Sequence, residues 1–156
     1  MRVGSGVDVH RFGAERPLML GTLHVPHPTG LVGHSDGDVV THALCDALLA
    51  AAGLPDIGHH FPPGDPEWQG ASGERLLTAV MTLLGDADRR VVNAHAVVLC
   101  EAPRIGPHRD AMQSALSALV GAPVTVHATT TEGLGFTGRE EGIMCQAVAL
   151  VDEGAE

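Results

Sequence analysis

The 156-residue chain carries 9 basic and 19 acidic side chains, a formal charge of −10 with histidine neutral, and 44% of it is apolar. That length and apolar content exclude disorder and point to one domain over residues 1–156, burying roughly 70% of its unfolded surface. Every basic residue is Arg and there is no Lys, which excludes a P-loop lysine, a Schiff-base lysine and a polybasic nucleic-acid or membrane patch.

Residues 2–10 alternate Val3, Ser5, Val7 and Val9 with Gly4, Gly6, Asp8 and His10, the period of a strand. Two short extended pieces around Gly21 follow, then a loop over residues 26–36. Ser35 or Asp36 is suited to cap a helix over residues 37–52, stopped by Gly53 and Pro55. Val40, Ala43, Leu44, Ala47, Leu48 and Ala51 form its apolar stripe, while Asp38, His42 and Asp46 share another face. Residues 55–72, holding the single Trp, Trp68, are a long Pro- and Gly-rich loop of the kind that is functional or mobile. Ser72 caps a second helix to about Leu84, and Pro107 opens a third that ends at Gly121. Residues 91–100, 124–130 and 143–151 read as strands, with a Gly-rich segment over 132–142. The expected fold is α/β of the α+β type: a mixed sheet with helices on one face. Strands 91–99 and 143–151 are apolar at both odd and even positions, so the uncovered face calls for a second copy of the chain. Cys45, Cys100 and Cys145, without C-x-x-C spacing, read as buried thiols of a reducing compartment. No leader pattern and no run near ~18 apolar residues is seen, so a cytoplasmic location is expected.

Histidine is the anomaly: seven of the ten lie within the first 60 residues. Asp8-Val-His10 puts two side chains on one strand face, about 6.6 Å apart at Cα. With His42 as the third donor, one carboxylate and two imidazoles suit Zn²⁺ and leave its fourth position open. Asp38 or Asp46, one helical turn either side, is placed to hold the second ring nitrogen of His42. Taken alone, the same residues also fit an ordinary strand tripeptide and a helical core histidine.

Asp8-Val-His10, Gly33-His-Ser-Asp-Gly-Asp-Val-Val-Thr-His42-Ala-Leu-Cys-Asp46, Asp56-Ile-Gly58, Phe61-Pro62 and Ala128-Thr-Thr-Thr-Glu132-Gly-Leu-Gly-Phe136-Thr-Gly-Arg139 resemble the 2-C-methyl-D-erythritol 2,4-cyclodiphosphate synthase family over nearly the whole chain. The resemblance implies a metal-dependent lyase that cyclises 4-diphosphocytidyl-2-C-methyl-D-erythritol 2-phosphate with release of CMP, in the non-mevalonate isoprenoid pathway. It implies a homotrimer, with sites between subunits and the sheets packed around a threefold axis. Asp8, His10 and His42 would hold Zn²⁺, and Glu132 a second ion, Mg²⁺ or Mn²⁺, on the diphosphate. His34 and Thr130 would be catalytic. His34 and Ser35 would hold the phosphate and polyol end, with Asp8, Val9 and His10 beside them. Asp56, Ile57, Gly58, Phe61 and Asp65 would surround the methylerythritol. Cys100, Ala102, Pro103, Arg104, Ile105, Thr129, Thr130 and Thr131 would take the cytidine, with Phe136 and Arg139 near the substrate and the subunit axis.

The chain departs from the family's F-P-D-T-D-P at Phe61-Pro-Pro-Gly-Asp-Pro66, where Pro63 removes a carboxylate. A Zn-dependent phosphohydrolase would need an additional base to place a water, and no residue is clearly assigned to that task. A non-catalytic metal and nucleotide binder would keep the ligand set without turnover.

Overall fold

In the computed structural model, which describes residues 1–153, the amino-terminal alternation becomes β1 (Arg2–Ala14). Its faces are the reverse of the usual arrangement. Val3, Val7 and Val9 stand on the open side, 69%, 51% and 47% exposed. Gly4 and Gly6 are buried against α1 (Val39–Ala52). A Cβ on Gly4 would lie 2.2 Å from the Ala51 amide nitrogen, and one on Gly6 2.1 Å from the Ala43 carbonyl oxygen. Only glycine permits this approach, and α1 answers with Ala43, Ala47 and Ala51 at four-residue spacing, one row along a helix.

β1 belongs to a five-stranded sheet of order β4-β1-β7-β5-β6, where β4 is Gly30–Leu31, β5 Arg89–Leu99, β6 Val124–Thr129 and β7 Gly142–Glu153. β5 and β6 pair in parallel and the other neighbours are antiparallel, so the sheet is mixed, as expected. The short pieces around Gly21 form a separate hairpin, β2 (Leu18–Leu20) with β3 (Leu23–Val25). Its two-residue turn places Gly21 and Thr22 both at positive φ, 56° and 67°, the turn that matches strand twist.

α1, α3 (Gly73–Asp86) and α4 (Arg109–Val120) cover one face of the sheet. Ile143, Cys145, Ala147, Ala149 and Val151 of β7 join Ala94, Ala96 and Val98 of β5 and Leu44, Leu48, Leu77 and Met112 of the helices in one core. The other face carries Val148 of β7 exposed and Val92, Val97, Leu99, Met144 and Leu150 half-buried, the two-sided apolar character read in those strands, and β1 adds Val3, Val7 and Val9. No helix of the described residues is long and apolar enough to cross a membrane.

Four local expectations are corrected. The cap of α1 is Asp38, not Ser35 or Asp36: Gly37 turns left-handed at φ 76° and delays the helix to Val39. The Asp38 carboxylate accepts from the Val40 and Thr41 amides, the Thr41 hydroxyl and the Gly21 and Thr22 amides, so it ties helix and hairpin together. The 55–72 loop contains α2 (Ile57–His60), capped by Asp56 and held by Asp46, which accepts from the Ile57 amide. Pro107 opens a 3-10 turn, Gly106–His108, ahead of α4 rather than α4 itself. The Gly-rich segment holds α5 (Gly135–Gly138). Elements this short lack the length that a hydrophobic period needs to be read.

Candidate active site

Past the glycines of β1 the same strand face carries Asp8 and His10 toward the first turn of α1, where His42 is buried. Asp8 Oδ2 lies 3.0 Å from His10 Nε2 and 3.1 Å from His42 Nδ1, and one donor atom from each residue falls within 4.8 Å of the others. This group could hold a metal ion.

The remaining ring nitrogens decide whether it fits one. His10 Nδ1 lies 2.5 Å from the Val32 carbonyl, an obligate acceptor, so Nδ1 carries a proton, and Nε2, which faces Asp8, is the nitrogen that would give its lone pair to a metal. His42 Nε2 lies 2.9 Å from Ser35 Oγ, which leaves Nδ1 toward Asp8. Each imidazole is thus turned by a partner behind it, as in metal sites where outer hydrogen bonds orient the ligands. Asp38 and Asp46 do not fill that role. The first is spent on the helix cap and the hairpin, the second on the Ile57 amide. Two supports had no clear sequence signal. A Cβ on Gly33 would lie 2.8 Å from His10 Cε1, and Arg16 pins the loop by donating to the Leu31 and Ser35 carbonyls. Burial would raise the Asp8 pKa, but hydrogen bonds from His10 and His42, with their charge, hold it far below the usual range. The hydrogen bond to Asp8 raises His10 in turn, against the opposing effect of burial.

The triad opens into a cavity of 330 Å³ also lined by His34, Ser35, Ile57, Gly58, Phe61 and Asp65, six of the residues expected at the phosphate and polyol end. Val9 does not line it, because odd residues of β1 face the open side of the sheet. Asp56 does not line it either; its side chain caps α2. Pro62, Pro63, Gly64, Trp68, Gln69 and Leu76 complete the wall. Trp68 was legible as the lone Trp of a Pro- and Gly-rich loop, whereas Leu76 fits an ordinary helix stripe.

A second group lies where β5 and β6 end side by side, Leu99 opposite Thr129. The Cys100 amide donates to the Thr129 carbonyl, and the Cys100 thiol is pushed up to about 11 by burial and the charge of Glu101. Arg104, Thr129, Thr130 and Glu132 are exposed, Thr131, Ala102 and Pro103 half-buried, and Ile105 buried in the core. Glu101, missed in the sequence, organises the turn: its Oε1 accepts from the Thr131 amide at 3.1 Å and the Gly133 amide at 3.4 Å. Glu132 follows at φ 51° and joins no cluster of metal donors among the described residues. Phe136 is half-buried on α5, and Arg139 forks onto Glu141 at 3.2 Å through both contacts.

None of this second group lines the cavity. Val9, Met144, Leu99 and Thr129 form one row across the sheet, so three strand spacings, about 14 Å, separate the two groups within a chain.

Residues 1–152 match the family model described as the YgbB family. The chain belongs to the YgbB family. Among its relatives, the 2-C-methyl-D-erythritol 2,4-cyclodiphosphate synthase of Alcanivorax borkumensis is 52% identical over 97% of both chains. The bifunctional enzyme IspD/IspF of Novosphingobium aromaticivorans is also 52% identical, over 98% of this chain but 40% of its own length. Thus the chain spans two-fifths of that longer YgbB relative. A solved 2C-methyl-D-erythritol-2,4-cyclodiphosphate synthase in its CDP-bound form superposes with a TM-score of 0.88 at 40% identity, covering 97% of this chain and all of that one. IspF of Plasmodium falciparum, in a CDP complex, superposes at 0.85 with 26% identity over 99% of this chain and 97% of its own.

Proposed function

We propose that this YgbB-family chain, as one domain over residues 1–156 whose last three lie outside the described residues, is a cytoplasmic, metal-dependent phosphorus–oxygen lyase. It converts 4-diphosphocytidyl-2-C-methyl-D-erythritol 2-phosphate to 2-C-methyl-D-erythritol 2,4-cyclodiphosphate and CMP. The observation that carries this reading is the Asp8, His10 and His42 group in the wall of the cavity, in a chain whose residues 1–152 match the family model.

An oxygen of the 2-phosphate bonds to the β-phosphorus as its bond to the CMP phosphate oxygen breaks. No protein nucleophile is required, and positioning and charge neutralisation are the enzyme's tasks. Zn²⁺ on Asp8, His10 and His42, with Mg²⁺ or Mn²⁺ on Glu132, would supply Lewis-acid polarisation of the diphosphate. His34 donates to the attacking phosphate, beside Ser35. Ile57 and Phe61 give the methylerythritol an apolar wall, and Gly58 and Asp65 take its hydroxyls; Asp56 holds α2 in place as its cap, and Val9 contributes through its backbone. Cys100, Ala102, Pro103 and Ile105 read cytosine through backbone groups with Thr129 and Thr131, Arg104 faces the nucleotide phosphate, and the Thr130 hydroxyl steadies the leaving oxygen. Phe136 and Arg139 close the site near the subunit axis.

A homotrimer completes this site. The open sheet face carries exposed valines, and the separation of the two groups within a chain favours joining the metal half of one subunit to the nucleotide half of the next. Such head-to-tail contacts close into a ring. Co-assembly of His42→Ala and Glu132→Gln chains in equal amounts tests it. Whole sites need the first half from one parent and the second from the other, so about a quarter should be intact. Assayed at Mg²⁺ limiting for the Glu132→Gln parent, mixed rings no more active than that parent would place the entire site within one chain.

A further inference from the structure

Three prolines, Pro62, Pro63 and Pro66, interrupt the loop that walls the cavity and remove amide donors from it. Its backbone bonds are mostly internal, from the Asp65 amide to Pro62 and from the Trp68 amide to Asp65. The Gly70 amide reaches out to the His34 carbonyl only at the far end. Side chains hold the middle. One side of Trp68 packs edge-on against Phe61, with ring centroids 4.5 Å apart, and faces the cavity. The other side meets a shallow surface hollow lined by Ser72, Glu74 and Thr78, where the Arg75 guanidinium sits 4.6 Å from the ring centroid. The same guanidinium donates to the Glu67 carbonyl at 2.8 Å and pairs with the Glu67 carboxylate at 3.7 Å. Arg75 itself is fixed in the first turn of α3, where its amide is capped by Ser72.

We propose that Arg75 is a positioning residue for substrate: it clamps Trp68 and Glu67 to α3 and so holds the Trp68 wall of the cavity in its binding shape. The inference rests on the functional reading above, in which this cavity takes the polyol end. Without the clamp the wall must be ordered by substrate, a cost paid in affinity rather than in the chemical step. A planar guanidinium can cover a ring and donate to a carbonyl together, which a lysine ammonium cannot.

The test measures KM and kcat of Arg75→Ala, Arg75→Lys and Glu74→Gln with the cytidyl diphosphate substrate. Acrylamide quenching of the substrate-free proteins accompanies it, since Trp68 is the only Trp. Arg75→Ala should raise KM about three- to tenfold with kcat within about twofold, and about double the quenching constant. Arg75→Lys should fall between it and wild type, and Glu74→Gln, a charge change on the same turn, should match wild type. An unchanged KM, a fall in kcat matching the rise in KM, a KM effect with wild-type quenching, or Glu74→Gln behaving like Arg75→Ala would each overturn the proposal. If wild-type protein itself does not turn over the substrate, the functional reading falls. Quenching then decides the clamp alone: doubling supports it and equality overturns it.

Discussion

The seam between β1 and α1 and the paired ends of β5 and β6 are built on opposite plans. At the seam, two glycines bring a strand backbone against a helix, and Asp8, His10 and His42 converge with every ring nitrogen engaged. At the strand ends, threonine hydroxyls and a carboxylate stand in solvent on a turn held by Glu101. The first is finished within one chain; the second leaves its polar groups open to solvent. On the proposed reading, a site divided this way would place its metal donors on regular elements and leave nucleotide recognition to loops, where backbone groups are free to bond a base.

The sharpest way to break this contrast is at the ligands. Asp8→Ala or His42→Ala should lose bound Zn²⁺ and lower turnover on the order of a thousandfold or more while keeping the fold. Stoichiometric Zn²⁺ in purified His42→Ala protein would remove His42 from the ligand set. Gly6→Ala attacks the seam itself. The added methyl collides with the Ala43 carbonyl, so unfolding by urea should show a loss of about 3 kcal/mol. A midpoint equal to wild type would mean that strand and helix can separate freely. The smallest effect belongs to the open half: Glu132→Gln should keep Zn²⁺ yet need about tenfold more Mg²⁺ for half-maximal rate, because a hard cation prefers a charged oxygen donor. An identical Mg²⁺ titration would free Glu132 of that role.

Legibility followed the same divide. The two-residue period of the strand put Asp8 and His10 on one face and made His42 a candidate third donor, but spacing left an ordinary strand and a helical histidine equally open, and the longer motif around His42 was what chose the group. Nor does the period state which face is inside. Alternation of Val with Gly reads alike in either sense, and only the approach of α1 made the glycine face the buried one. The choice of Asp38 over Ser35 and Asp36 was equally hidden. All three are capping types, and the Gly21 and Thr22 amides of a distant hairpin favoured the one that could serve them too. Asp56 reads correctly as an α2 cap only once that four-residue helix is seen.

The glycine face of β1 also bears on how the molecule opens. A chain's first residues ordinarily fray, and their amides exchange with solvent within moments. Gly4 and Gly6 are laddered to Ala149 and Ala147 of β7 and lie under the backbone of α1, with no side chain whose motion could admit a water molecule. Deuterium can enter there only when the helix lifts away whole, which is the global transition rather than a local one. Exchange at the fourth residue should therefore be among the slowest in the protein, and its rate should report the stability of the entire fold.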